Sequence, residues 1–244
     1  MSTSHTNAKA RDAFAEASPL HRDEPPFRSL HDDIYAALRR SLMAGDLVPG
    51  QAVSIRTLAD QFGTSIIPVR DALKRLVAER ALTMLPNRTV VVSPMTRRRF
   101  QEILNVRLAV ESMLARQSAE HITAAEIALL EQVNEEMHDA AESGQVKAYL
   151  IANHKFHFTL YGTARSAVML PIVESLWMQV GPYLNGVFTA AGVSHASDNH
   201  AEVLKAARRR DPVGVASAIS HDLADAADTV LARNDFVADT DPDR

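Results

Sequence analysis

The stretch that decides the fold runs from residue 54 to residue 80 and reads SIRTLADQFGTSIIPVRDALKRLVAER. Apolar residues recur at helical spacing in two runs, over residues 55–62 and again over residues 69–77. Gly63 stands between the runs, where a helix ends, and Ser65 offers a side-chain oxygen that can cap the second helix. The stretch therefore predicts two short helices joined by a tight turn.

The second predicted helix carries basic residues away from its apolar stripe. Arg70, Lys74 and Arg75 fall on the side that faces solvent. A short helix, a glycine-containing turn and a basic second helix are typical of a helix-turn-helix, whose second helix lies in the DNA major groove. The pattern alone leaves open an ordinary helical hairpin with a solvated basic face.

Charge is distributed unevenly along the 244 residues, although the formal net charge is only −4. Residues 28–99 contain 12 basic and 6 acidic residues, whereas residues 100–244 contain 11 basic and 20 acidic residues. A positive segment joined to a negative one suits a protein that binds a polyanion through one part of its chain.

The composition excludes several classes of protein. The chain has no cysteine, which excludes disulfides and thiolate metal sites. Its 46% hydrophobic and 23% charged residues are ordinary for a globular protein with a sizeable core. No apolar run approaches the length of a membrane span, and the N-terminus lacks the apolar core of a signal peptide. We therefore expect a cytoplasmic protein with no membrane partner.

The segments on either side complete a winged helix-turn-helix. A helical stripe over residues 29–43 precedes the central stretch, and two β-prone runs over residues 81–93 follow it, about a turn at residues 86–88. We place this DNA-binding domain at residues 28–95. Residues 1–27 are polar and contain a Pro-Pro pair, so we expect a disordered arm.

Five short segments of this domain match the pattern of a known family. They are AGDLVPG at 44–50, LA at 58–59, GTS at 63–65, PVRDAL at 68–73 and LPNR at 85–88. In this order they resemble the DNA-binding domain of the GntR family of bacterial repressors, over residues 30–95. The resemblance implies double-stranded operator DNA as the partner. The DNA-binding residues that it implies are Arg56, Ser65, Ile66, Ile67, Arg70, Asn87 and Arg88.

The chain departs from the family pattern at two places. Ile66 and Ile67 stand where the family often has Arg-Thr, and Thr89 stands where the tip of the wing often has Gly. The first change removes a polar base-reading side chain from the recognition helix. We therefore expect Ile66 and Ile67 to make apolar contacts, to thymine methyl groups, and we do not transfer the family's operator sequence to this chain.

From Thr96 onward the sequence predicts helices as far as about residue 234, which makes the chain mainly α with one small β-hairpin. TAAE at 123–126 is a capping box that opens the second of these helices. We predict an all-α domain at residues 96–234 and a frayed acidic tail at residues 235–244. The face predicted for the first of these helices consists of Ile103, Val106, Val110 and Leu114.

Further motifs in this region are RLAVE at 107–111, NHKFH at 153–157, and the later His200 and His221. They resemble the FCD ligand-sensing domain found in the FadR subfamily of the GntR family. The resemblance implies that a small organic acid binds in the helical domain as the effector.

Asn153 and His157 are four residues apart and share a helix face, whereas His200 and His221 lie on the last two predicted helices. Spacing alone does not distinguish a metal site from packing or surface histidines, because the chain contains 10 histidines. The resemblance implies that these four residues hold a divalent metal ion. Three imidazoles and one oxygen suit Zn or Ni. Asn153 stands where the family usually has Asp, which lowers the predicted affinity for the metal.

Arg107 and Glu111 are also four residues apart, and they can form a surface ion pair of little energetic consequence. The resemblance instead implies that Arg107 points into a cavity, where its planar fork holds the carboxylate of the effector.

Together these features favour a ligand-responsive transcription repressor that is not an enzyme. We expect a homodimer on a pseudo-palindromic site, because one recognition helix reads too few base pairs for useful specificity. Two alternatives remain open. One is a metal-dependent hydrolase that uses the histidines, although no Glu accompanies them as in an HExxH motif. The other is a DNA-binding protein in which the metal is purely structural.

Overall fold

The computed structural model describes residues 30–190, 196–233 and 236–239. Within them the chain is mainly helical with one small antiparallel sheet, which confirms the predicted fold class. The predicted arm over residues 1–27 and the last residues of the tail, 240–244, lie outside the described residues.

The N-terminal part of the described chain, which we call the head, packs helices and short strands around an apolar core. Its elements are α1 (Leu30–Met43), β1 (Ala52–Val53), α2 (Ile55–Gln61), α3 (Ile66–Ala78), β2 (Leu82–Met84) and β3 (Val90–Val92). The Ser54 hydroxyl caps α2 by accepting a hydrogen bond from the Thr57 N–H. Ser65 occupies the N-cap position of α3, but its side chain makes no capping hydrogen bond. The capping bond predicted for Ser65 is therefore wrong.

The wing is the predicted hairpin of β2 and β3, and it gains a third strand. β1 pairs with the other edge of β3, so the strand order is β1-β3-β2, all antiparallel. Two residues are too few to show a period of two, which is why the sequence did not reveal β1. At the tip, Arg88 has φ 65° and the Asn87 side-chain oxygen accepts a hydrogen bond from the Thr89 N–H. The wing thus makes its left-handed turn without glycine.

The remaining helices form the part that we call the body. They are α4 (Arg97–His121), α5 (Ala124–Glu142), α6 (Val146–Thr163), α7 (Met169–Ala190), α8 (Ala196–Arg208) and α9 (Pro212–Ala232). Thr123 and Glu126 form the complete capping box that the sequence predicts at the start of α5. Asp211 caps α9, where Pro212 takes the first position.

The buried face of α4 differs from the predicted one. Ile103 and Leu114 are buried as expected, but Val106 is 46% exposed. Arg107 and Glu111 take the inward positions instead. Charged residues can occupy this face because they neutralise each other inside the body, and apolar spacing alone gives no sign of such a pair.

The head docks on the body where α1 crosses α7. A Cβ atom added at Gly181 would overlap the Leu42 carbonyl oxygen and lie 2.9 Å from the Met43 Cα, so only glycine permits this approach. The Asn185 side chain donates a hydrogen bond to the Gly45 carbonyl at 2.7 Å. These contacts join the two parts through backbone atoms.

The start of the acidic tail is held against the body. The Phe236 ring stacks on Tyr183 at 5.6 Å and contacts the edge of Phe100. The Val237 N–H donates to the Met95 carbonyl at 3.2 Å. The prediction of a frayed tail from residue 235 is therefore wrong for Phe236 and Val237, because an aromatic side chain anchors them.

Candidate metal centre and nucleic-acid interface

Three side chains from three helices meet inside the body. One nitrogen or oxygen atom from each lies within 4.8 Å of the corresponding atoms of the other two, and we call the three residues the donor cluster: His157, His200 and Asp222. His157 Nε2 lies 3.3 Å from His200 Nε2 and 3.1 Å from Asp222 Oδ2. His200 Nε2 lies 3.7 Å from Asp222 Oδ1. The two histidine side chains are each 1% exposed, and the Asp222 side chain is 11% exposed.

His221 does not belong to the donor cluster, because it is exposed on α9. Its predicted role as a metal ligand is therefore wrong. Successive residues of a helix are rotated by about 100°, so only one of His221 and Asp222 can face the interior. Asp222 does so, and it continues the buried stripe of Ala218 and Ile219. The spacing of this stripe is the signal by which the sequence identifies Asp222.

Asp222 is a buried carboxylate that faces the imidazoles of His157 and His200. Burial acts to raise the pKa of Asp222, but His200, His157 and Arg107 outweigh it and hold that pKa below its ordinary value.

The donor cluster has the composition and spacing of a metal site. Ligand atoms about 2.0–2.1 Å from a tetrahedral zinc ion are separated from one another by about 3.3 Å. The three separations between facing atoms, 3.1, 3.3 and 3.7 Å, are close to that value. Two imidazoles and one carboxylate can therefore take a divalent ion with little movement.

Asn153 stays a candidate for a further ligand. It lies one turn before His157 on α6 and is buried. An amide oxygen at this place would add a neutral donor to the donor cluster.

His154, between these two residues, belongs to the aromatic packing. Its ring stacks on Phe158 at 4.4 Å, and its buried Nε2 has no hydrogen-bond partner among the described residues. Burial, with smaller contributions from His157 and Arg39, lowers the pKa of His154 to about 4. This imidazole is therefore neutral at physiological pH.

Arg107 and Glu111 form a buried pair, not the surface pair that spacing allowed. Their side chains are 6% and 0% exposed, and Arg107 Nε donates to Glu111 Oε1 at 2.6 Å. The guanidinium also lies over the Trp177 ring, 4.8 Å from its centre. One edge of the fork that we predicted for an effector carboxylate is therefore occupied by a carboxylate of the protein itself.

Glu111 collects hydrogen bonds from three helices. Its Oε2 atom accepts from the Tyr161 hydroxyl at 2.7 Å and from Trp177 Nε1 at 3.0 Å. The Tyr161 hydroxyl lies 3.2 Å from His157 Nδ1, which connects this network to the donor cluster. Burial and the neighbouring Glu111 raise the pKa of Tyr161 well above its ordinary value, so the phenol keeps its proton.

The head presents the predicted DNA-binding residues on its surface. All seven are exposed: Arg56, Ser65, Ile66, Ile67, Arg70, Asn87 and Arg88. Ile66 and Ile67 are 44% and 65% exposed at the start of α3, although neither is a surface residue type.

The basic residues of α3 differ in their partners. Lys74 pairs with Asp71, and Arg75 pairs with Glu79. Arg70 forms no ion pair within the described part of the chain. Its charge is thus available for a phosphate group.

Two family models match the chain. The model described as "Bacterial regulatory proteins, gntR family" matches residues 30–92, and the FCD domain model matches residues 102–225. The first match covers the head and the second covers the donor cluster.

Relatives and solved structures agree with these matches. The HTH-type transcriptional regulator McbR of Escherichia coli is 30% identical over 180 residues, which cover 72% of this chain and 81% of McbR. The HTH-type transcriptional repressor RspR of E. coli is 24% identical over 211 residues, 84% of this chain and 90% of RspR. The structure of E. coli McbR/YncC superposes with a TM-score of 0.80 at 26% identity, over 84% of this chain and 99% of that one.

No helix in the described ranges combines the length and the apolar character that a membrane crossing requires.

Proposed function

The chain belongs to the GntR family of bacterial regulatory proteins and carries an FCD domain, and from this premise we propose that it is a repressor controlled by a small organic acid bound at a divalent metal ion. Its relatives are transcription regulators and not enzymes. The observation that carries the proposal is the buried donor cluster inside the FCD domain. We propose residues 28–95 as the DNA-binding domain and residues 96–234 as the effector-binding domain.

We propose that α3 enters the major groove and that the wing follows the backbone. Arg56, Arg70 and Arg88 are exposed and supply positive charge to phosphates or base edges. Ser65 and Asn87 offer exposed polar groups at the ends of α3 and the wing. Ile66 and Ile67 meet thymine methyl groups, which are the apolar feature of the major groove.

We further propose a homodimer on a pseudo-palindromic operator. The described residues of one chain hold a single recognition helix, which reaches only a few base pairs. A two-fold protein reads two half-sites and so reaches useful specificity.

For the metal, we propose His157, His200 and Asp222 as ligands, with Asn153 as the fourth. Zn and Ni suit a mixture of imidazole and carboxylate ligands. When bound, such an ion supplies positive charge and open coordination positions for an anionic oxygen. The proposed ligands would hold this ion in the buried interior of the body and shield it from water.

The occupied fork of Arg107 changes the expected mode of effector binding. Glu111 occupies the Nε edge of the Arg107 guanidinium, at 2.6 Å from Nε, so a second carboxylate has only the opposite edge for a bidentate contact. We therefore propose that the acid is held chiefly at the metal. Arg107 would stay paired with Glu111 and attract the acid through its positive charge. The hydrogen bonds from Arg107 to Glu111, from Tyr161 to Glu111, and between Tyr161 and His157 connect Arg107 to the donor cluster.

Binding of selected DNA tests the proposal. Duplexes are selected from random-sequence DNA with the full chain, and affinity is measured by fluorescence anisotropy with added Zn²⁺ or Ni²⁺, with a chelator, and with a panel of small organic acids. We expect one class of acid to weaken DNA binding only when the metal is present. Failure to select any duplex would contradict the DNA-binding role.

A purely structural metal is the second candidate, and the burial of the ligands favours it. His157 and His200 are each 1% exposed, which is typical of closed structural sites. The same assay separates the two: for a structural metal, no acid changes the DNA affinity, whereas the chelator lowers the melting temperature.

A further inference from the structure

The hydrogen bonds around His157 determine which of its nitrogens carries a proton. On one side, its Nε2 faces the donor cluster, 3.1 Å from Asp222 Oδ2. On the other side, its Nδ1 lies 3.2 Å from the Tyr161 hydroxyl. A neutral imidazole has one N–H and one lone pair, so the partner of Nδ1 decides what Nε2 offers to the cluster.

The Tyr161 hydroxyl has only one proton to donate. Glu111 Oε2 lies 2.7 Å away and, as a carboxylate oxygen, can only accept. Arg107 and Trp177 also donate to this carboxylate, which fixes its position. Tyr161 therefore donates to Glu111 and presents a lone pair to His157 Nδ1. Nδ1 must carry the proton for this contact to be attractive.

We propose that Glu111 and Tyr161 are positioning residues of the metal centre, which hold His157 as the Nδ1–H tautomer and aim its Nε2 lone pair at the point shared with His200 and Asp222. This inference rests on the proposed metal-binding function. Its ligand is a divalent cation.

The facing atoms of the cluster agree with this assignment. With this tautomer, a lone pair on His157 Nε2 faces an oxygen of Asp222 at 3.1 Å, an arrangement that is repulsive unless a proton or a metal cation lies between them. The hydrogen-bonded series Glu111–Tyr161–His157, which we call the relay, thus prepares a place for positive charge. Its members are anchored on α4, α6 and α7, so packing of three helices fixes the geometry.

Tyr161→Phe tests the relay, because it removes the hydroxyl and keeps the ring. Partners of metal-bound histidines typically contribute about 10–100-fold to metal affinity. We expect the variant to bind Zn²⁺ weaker by a factor in this range, measured by titration calorimetry on the full chain. The matched control is Tyr35→Phe, which removes another tyrosine-to-glutamate hydrogen bond, to Glu79 in the head. The control should bind Zn²⁺ like the parent.

Nitrogen NMR of isotope-labelled histidine provides a second readout that needs no variant. In the metal-free parent, at an alkaline pH where free histidine is neutral, we expect His157 as the Nδ1–H tautomer. Tyr161→Phe should shift it toward a mixture of tautomers. The Nε2–H tautomer in the parent would overturn the relay, even if Tyr161→Phe did not fold.

The outcomes separate the relay from the function on which it rests. A parent that binds Zn²⁺ together with an equally tight Tyr161→Phe variant refutes the relay and leaves the metal centre in place. A parent that binds neither Zn²⁺ nor Ni²⁺ refutes the metal centre, and with it any positioning role of Tyr161 toward a metal.

Discussion

The Nε2 atom of His157 lies 3.1 Å from the Oδ2 atom of Asp222, although the two residues are on different helices and both are buried. Asp222 thus takes the place in the ligand set that we predicted for His221. It changes the predicted ligand set from three imidazoles to two imidazoles and a carboxylate. A carboxylate ligand adds a negative charge, which strengthens the attraction for a divalent cation.

Asp222→Asn should therefore weaken binding of Zn²⁺ by at least about tenfold, because it removes the charge and keeps the size of a ligand. His221→Ala, one residue away and exposed, is the matched control and should leave the affinity unchanged. Titration calorimetry with the metal measures both. If His221→Ala lost the metal and Asp222→Asn kept it, the ligand set predicted from the sequence would be the correct one.

His154→Phe should make stability less sensitive to acid. Burial lowers the pKa of His154 from 6.5 to about 4. Below pH 6.5 the unfolded chain therefore binds a proton at His154, whereas the folded chain binds it only near pH 4. The parent thus loses stability as pH falls from 6.5 to about 4, by on the order of 3 kcal/mol from this group. Urea unfolding across this range should show that the free energy of unfolding of the variant rises relative to that of the parent as the pH falls. A constant difference between them would refute the prediction.

Local signals predicted much of the fold. Thr123 and Glu126 form the capping box that their spacing indicates, and the apolar runs over residues 55–62 and 69–77 contribute to α2 and α3. Such features depend on neighbours within one turn of the chain, so a sequence can reveal them.

The missed parts of the site depend on contacts between helices. A motif identifies residue types but does not decide which of two adjacent residues, His221 or Asp222, faces inward. Spacing likewise placed Arg107 beside Glu111 without showing that both are buried, because burial comes from α6 and α7. Periodicity of the apolar residues of α9 was the one sequence signal that pointed to Asp222.

Gly181→Ala should separate the head from the body or destabilise their junction. The added Cβ would meet backbone atoms of Leu42 and Met43, which cannot turn away as a side chain can. Overpacking of this kind costs about 1–3 kcal/mol. Gly162→Ala is the matched control, since nothing lies within 4 Å of its added Cβ. Thermal denaturation should show a lower melting temperature for Gly181→Ala alone, and equal temperatures would contradict the close crossing of α1 and α7.

Arg70→Ala should weaken operator binding and reduce its salt dependence. Each phosphate that a basic residue neutralises contributes about 0.9 to the slope of log affinity against log salt concentration. Losing one such contact should lower the slope by about that amount. Lys155→Ala makes the same charge change in the body, where Lys155 pairs with Glu136, and should leave the slope unchanged. Fluorescence anisotropy at several salt concentrations measures both, and an unaltered slope for Arg70→Ala would remove it from the interface.

The exposed Ile67 side chain should read a thymine methyl group, and a cycle of paired changes isolates that contact. One change is Ile67→Ala, and the other replaces single thymines of the selected operator by uracil, which removes only the methyl group. Because the side chain is 65% exposed in the free protein, covering it with a methyl group removes apolar surface from water. We expect one uracil replacement to weaken binding by the parent several-fold and to have no further effect on Ile67→Ala, because coupled partners are not additive. Equal uracil effects in both proteins, at every thymine, would show that Ile67 reads no methyl group.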